Sequence, residues 1–193
     1  RGVPIQAPML DIHTVAAGGG SKLSFNGLRL AVGPESAGAV PGPACYGRGG
    51  QLTITDANVL LGRLLPEHFP KVFGPEGHQP LDRQVVRERF AVLASSMGCS
   101  PEQAAEGALQ VSLERMAEAI RRISLQKGHD VRQAVLCCFG GAGGQHACAL
   151  AELMAMDQVL LHPLAGVLSA YGIGLADEGE LLEWSLSREL SPQ

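Results

Sequence analysis

The sequence predicts an α/β protein built around a strand, a glycine turn, a helix and a second strand. Three observations carry that prediction. Val135-Leu136-Cys137-Cys138-Phe139 is an apolar run short enough for a buried strand. Gly140-Gly141-Ala142-Gly143-Gly144 breaks the run, and Gln145 to Met156 has the Ala- and Leu-rich composition of a helix. Gln158-Val159-Leu160-Leu161-His162 then reads as a further strand, so residues 134–162 form a β-α-β unit with a parallel pair and a right-handed crossover.

The 193 residues suffice for a real core, and 46% hydrophobic with 18% charged residues is a globular composition. The 25 glycines and 12 prolines predict long, shaped loops. A net charge of -4 with no basic run gives no electrostatic footprint for nucleic acid. No window approaches the ~18 consecutive apolar residues of a membrane span. The opening Arg1-Gly2-Val3-Pro4-Ile5 has neither a Met nor a signal-peptide pattern, so the chain reads as a piece of something longer. The cysteines (45, 99, 137, 138 and 148) are odd in number, with no C-x-x-C or zinc spacing. They read as reduced, cytoplasmic thiols, with Cys137 and Cys138 pointing to opposite faces of a strand as core packing.

From the start of the chain, residues Met9 to Ala17 look like a strand on which Asp11 and His13, two apart, share a face. A carboxylate beside an imidazole suits a general base, a metal ligand or a substrate anchor; a structural hydrogen bond is the alternative for His13. Gly18-Gly19-Gly20-Ser21 makes a turn, and Lys22 to Val32 a hairpin around Asn26-Gly27. Gly33 to Gly50 is a shaped loop offering Glu35, Ser36, Tyr46 and Arg48 as polar groups for a cleft, with Cys45 as inert packing. Leu52 to Thr55 alternates like a strand, and a short helix follows from Asp56, which suits an N-cap or a ligand role. Pro66 to Pro80 is a polar loop.

Two scaffold helices come next. Asp82 to Met97 places Val86, Phe90, Leu93 and Met97 on one stripe, and Gly98 ends it. Ser100-Pro101-Glu102-Gln103 is a capping-box start for a helix running towards Gly128, with Arg121 and Arg122 on a solvated face. Pro163 to Ala176 is a loop and a helix of small residues.

The glycine turn at 140–144 is the strongest functional candidate. Glycines let a backbone approach a ligand closely, and the free N–H groups of a helix start attract anions. A purely structural tight turn is the other possibility, because the loop matches neither the P-loop nor the G-x-G-x-x-G spacing.

Taken together, residues 10–21 (Leu-Asp-Ile-His-Thr-Val-Ala-Ala-Gly-Gly-Gly-Ser), 32–39, 41–47, Thr55-Asp56-Ala57-Asn58, Phe139 to His146 and 165–172 resemble the hydantoinase A/5-oxoprolinase family, and the first ten residues are most similar to its 5-oxoprolinase branch. The resemblance implies an actin-like, sugar-kinase-like ATPase fold, of which residues 1–193 would be a core fragment of the second half carrying a helical insertion around 82–128. It implies ATP-dependent opening of the lactam of 5-oxo-L-proline to L-glutamate, with magnesium and potassium, in a cytoplasmic enzyme of glutathione metabolism. A hydantoinase B-type domain or subunit would complete the reaction, and the intact protein would be a homo-oligomer. Gly140, Gly141, Gly143 and Gly144 would hold the nucleotide; His13, Asp56 and His146 would orient substrate or metal, with Asp11 and His13 as the metal pair. The upstream phosphate motif of the family is absent, so the fragment alone is expected to be inactive. The alternatives are the A subunit of an N-methylhydantoinase or of an ATP-dependent ketone carboxylase, or a non-catalytic interaction segment.

Overall fold

Asn26-Gly27 supplies the turn that the first two strands need. In the computed structural model, which describes residues 12–177 and Gly179, the Asn26 side-chain oxygen accepts the N–H groups of Leu28 and Arg29 at 3.1 and 2.8 Å. Gly27 takes φ +92°, which a side chain would resist. The turn joins β1 (Ser21–Phe25) to β2 (Leu30–Ser36) as an antiparallel hairpin with Leu23 opposite Val32 and Phe25 opposite Leu30. A shaped loop leads to α1 (Ile54–Leu60), and α2 (Arg83–Met97) and α3 (Pro101–Gln126) follow. The Asp82 carboxylate caps α2 by accepting from Gln84 and Val85 N–H, Gly98 ends it at φ +69°, and Ser100 with Gln103 forms the capping box of α3.

α3 is the spine. At 26 residues it is about 39 Å long. Its first half buries Ala104, Ala105, Ala108 and Leu109 against Ile54 and Val59 of α1, Val86 and Phe90 of α2, and Val32 of the hairpin. Its second half presents Leu113 and Ala117 to a separate cluster made with Leu150, Ala151, Met154 and Met156. That second cluster is the underside of β3 (Leu136–Cys138), α4 (Gly144–Leu153) and β4 (Val159–Leu161). β3 and β4 pair in parallel, Leu136 opposite Val159 and Cys138 opposite Leu161, so the β-α-β unit stands as read from the sequence. A short α5 (Leu168–Leu175) closes the described chain.

Three expectations change. Ile12 to Ala17 form no strand, because no strand among the described residues lies beside them; the segment is held where the Ser112 hydroxyl donates to the Ala17 carbonyl and turns at Gly18–Gly20. Met9 to Asp11 lie outside the described residues. Leu52–Thr55 shrinks to one bridge, Thr53 to Lys22, since Thr53 is the N-cap of α1 and the helix begins at Ile54. Cys137 is exposed rather than core, because β3 and β4 form a sheet of only two strands among the described residues. All five thiols are free.

α4 ends in a Schellman turn in which Met156 N–H donates to the Ala151 carbonyl (2.9 Å) and Ala155 N–H to the Glu152 carbonyl (3.1 Å). The left-handed position falls on Ala155, at φ +54°, where glycine is the usual residue. Ala155→Gly should therefore stabilise the protein by about 0.5–1 kcal/mol, visible as a higher melting temperature. A lowered melting point would show that the Ala155 methyl group contributes more by packing than the backbone loses by strain.

Candidate functional site at the glycine loop

The four loop glycines fall into two classes. Gly140 has φ +90°, and its N–H donates to the Ala165 carbonyl at 2.8 Å, tying the end of β3 to the segment after β4. A Cβ on Gly143 would lie 2.7 Å from the Phe139 carbonyl oxygen and 2.8 Å from Cys138 Sγ. The fold itself demands these two. Gly141 and Gly144 are different: neither has a positive φ, and a Cβ on either meets nothing within 4 Å. Around them the backbone N–H groups of residues 141–144 donate to no acceptor among the described residues. Four consecutive free donors at the start of a ten-residue helix make a cradle for an anion.

His146 sits in the first turn of α4. Its main-chain N–H donates to the Gly143 carbonyl at 3.0 Å, and its imidazole is buried with Nε2 unpartnered. Burial pushes the imidazole below its usual value and the Arg63 charge adds to the shift, so the ring is neutral at pH 7. Arg63 belongs to the turn after α1, where the N–H groups of Arg63 and Leu64 both donate to the Asn58 carbonyl (2.9 and 3.0 Å). Asn58 is completely buried, yet neither atom of its carboxamide has a partner. Among the described residues, the Asn58 amide and His146 Nε2 are the buried side-chain polar atoms left unpaired, a cost of about 1–3 kcal/mol each. Asn58 escaped the sequence reading: its one signal was membership of Thr55-Asp56-Ala57-Asn58, which helix capping absorbed.

Asp56 proves to be at the third helical position rather than the N-cap. Its carboxylate accepts from Thr53 N–H (2.8 Å), Thr53 hydroxyl (2.9 Å), Ala44 N–H (3.0 Å) and Cys45 N–H (2.7 Å), all buried. Three of those donors go to Oδ2 and one to Oδ1, so both oxygens are engaged. Cys45 is buried beside it, and burial with the nearby carboxylate drives the thiol far up, so no thiolate forms. The remaining polar candidates of the 33–50 loop are also turned to structure. Glu35 pairs with Lys22 at 2.8 Å, Ser36 accepts from Gly38 N–H, Tyr46 packs on Phe73 with ring centroids 4.7 Å apart, and Arg48 donates to the Gly74 and Val72 carbonyls.

His13 lies elsewhere again, lining a cleft of about 430 Å³ with Thr14, Val15, Arg115, Glu118 and Arg122. The structure therefore places His13, Asp56 and His146 in three separate surroundings, and only His146 adjoins the glycine loop. Asp11 lies outside the described residues. Arg121, expected on a solvated face, donates to the Leu153 carbonyl at 2.7 Å and so binds the C-terminal end of α4.

A model of the hydantoinase/oxoprolinase family matches residues 1–180. The chain is 52% identical over 186 residues to the 5-oxoprolinase of Dictyostelium discoideum, an alignment covering 91% of this chain and 15% of that protein. Among solved structures, the ATP-dependent caprolactamase from Pseudomonas jessenii superposes with a TM-score of 0.75 at 39% identity, over 87% of this chain and 24% of that one. The nucleotide-free structure of acetone carboxylase gives 0.69 at 28% identity, over 83% and 22%. The chain thus spans about 15% of the length of the 5-oxoprolinase it matches.

Two outcomes follow from the site geometry. Asp56→Asn keeps the shape but turns an amide NH2 towards groups that are themselves donors, so stability should fall by about 3 kcal/mol in denaturant titration; a loss under ~1 kcal/mol would mean the carboxylate is not holding the loop. For His146 the folded-state value is depressed, so the unfolded chain binds the extra proton first. Its contribution is complete above about pH 6.5 and is lost as pH falls below that. Melting curves from pH 7.5 to 5 should show a decline that is shallower in His146→Phe.

Proposed function

This chain belongs to the hydantoinase/oxoprolinase family, and from that premise we propose that it is a piece of an ATP-dependent 5-oxoprolinase, which opens the lactam of 5-oxo-L-proline to L-glutamate with hydrolysis of ATP. The observation that carries the proposal within this chain is the glycine loop, with its four free N–H donors and the open space at Gly141 and Gly144. That donor set fits a nucleotide's phosphate oxygens. The similarity to an ATP-dependent caprolactamase supports a cyclic amide as the substrate class. The resemblance to acetone carboxylase keeps the A subunit of an ATP-dependent ketone carboxylase as the second reading.

In this proposal residues 1–193 belong to the second half of an actin-like ATPase domain, with α2 and α3 as a helical addition to it. Partners completing the enzyme are a hydantoinase B-type domain or subunit and further copies of the same cytoplasmic protein. Bound ATP supplies the phosphoryl group that activates the amide oxygen of the lactam. The loop's N–H groups hold the nucleotide in place, and neutral His146 beside it orients substrate or water; positioning and charge neutralisation are what this chemistry asks of a protein. Magnesium and potassium belong to the intact enzyme. Among the described residues no three carboxylate, imidazole or thiol groups converge on a common point, and Asp11, the proposed partner of His13 at a metal, lies outside them.

The two classes of glycine make the test. In the full-length protein carrying this chain, Gly141→Val or Gly144→Val should leave the melting temperature nearly unchanged and raise the KM for ATP by about tenfold, equivalent to about 1.4 kcal/mol. Gly143→Ala should instead lower stability, because its methyl group collides with the Phe139 carbonyl. Wild-type ATP kinetics in a folded Gly141→Val, Gly144→Val double variant would reject the loop as a nucleotide site.

A further inference from the structure

We propose that the cleft between α3 and the His13–Val15 segment is a second binding site, one that takes a small acid carrying an N–H group beside its carboxylate. At about 430 Å³ the cleft has the size of a small-molecule site. It lies apart from the glycine loop. α4 packs on Leu113 and Ala117, whereas the cleft is faced by Arg115, Glu118, Ala119 and Arg122, and at 100° per residue these stripes are on opposite sides of α3.

Charge selects the ligand. Arg115 and Glu118 are three residues apart and Glu118 and Arg122 four apart, spacings at which helical ion pairs form readily. Glu118 pairs with neither arginine. Arg115 is instead pinned by a hydrogen bond to the Val32 carbonyl, which fixes its guanidinium at the cleft wall. The cleft thus offers, beside the His13 imidazole, two guanidinium groups, one carboxylate, and the apolar surfaces of Val15, Ala119 and Ile123. A neutral ligand leaves both arginines uncompensated, and a phosphate is repelled by Glu118. A carboxylate with an N–H one carbon away satisfies all three groups: the acid bridges the arginines, the N–H donates to Glu118, and the carbon skeleton lies on the apolar wall.

Two sources share that chemistry, a lactam acid such as 5-oxo-L-proline and an α-amino acid such as L-glutamate; naming the first rests on the lactam-opening reading above. The test is calorimetric titration of the full-length protein with 5-oxo-L-proline, L-glutamate, caprolactam and inorganic phosphate, without ATP. At least one of the two acids should bind, caprolactam should not, and any phosphate binding, which belongs to the glycine loop, should be unchanged in Arg122→Ala. Arg122→Ala should weaken the acid about tenfold, the loss of one charge-assisted hydrogen bond. Glu118→Gln should weaken L-glutamate, whose ammonium is charged, more than 5-oxo-L-proline. Binding of neither acid, or affinities unchanged within about twofold in both variants, overturns the inference. Failure of the underlying reading looks different: a wild-type protein whose ATP hydrolysis ignores 5-oxo-L-proline refutes lactam opening, while L-glutamate binding lost in Arg122→Ala still upholds the site.

Discussion

The carboxylate of Asp56 is the constraint on which the first half of the structure depends. It sits at the start of α1 and gathers the N–H groups of Ala44 and Cys45 from a loop that has no regular structure of its own. By capping Thr53 it fixes where α1 begins, and Thr53 in turn bridges Lys22 on β1. One buried anion thus joins helix, loop and hairpin. Nothing apolar could replace it, because three of its four donors are backbone N–H groups that would remain after any side-chain substitution. Cys45 also owes its inertness to this arrangement: the thiol is enclosed next to a carboxylate, an environment opposite to the one a nucleophilic cysteine needs.

α3 carries the consequence across the molecule. The helix touches the Asp56-centred half through alanines, which bring neighbouring backbones close, and the β-α-β half through Leu113 and Ala117. The glycine loop is therefore positioned from two directions. β3 delivers it from one side, and the α3–α4 contact, reinforced by Arg121 on the Leu153 carbonyl, sets the direction in which the first turn of α4 points. Arg63, which adds to the effect of burial in depressing the His146 imidazole, comes from the turn after α1, so the electrostatics of the loop depend on the Asp56-built half as well.

Periodicity made the helices legible in the sequence, and local capping chemistry gave their ends: Asp82, Gly98, Ser100 and Gln103 act as their residue types predict. The hairpin turn and the parallel β-α-β unit were equally plain. What failed was extended structure without a partner. Ile12 to Ala17 and Leu52 to Thr55 have the alternation of strands, but a strand needs a neighbour, and pairing is a non-local property that alternation does not encode. The site was half legible for a related reason. His146 and the glycines stand together in sequence and remain together in space, whereas Arg63 reaches His146 from the turn after α1, some eighty residues earlier in the chain.

The glycines show why composition cannot separate scaffold from site. In sequence Gly140, Gly141, Gly143 and Gly144 are equivalent. In space Gly140 is needed for its backbone angle and Gly143 for its distance to the preceding strand, reasons internal to the fold. Gly141 and Gly144 satisfy no such need, and glycine at an unstrained, uncrowded helix start costs stability relative to alanine. Neither the backbone angle nor the packing of the described residues requires glycine at these two positions, which sets them apart from Gly140 and Gly143. The Asn58 amide and His146 Nε2 stand out in a similar way, as buried polar groups that no other described residue satisfies.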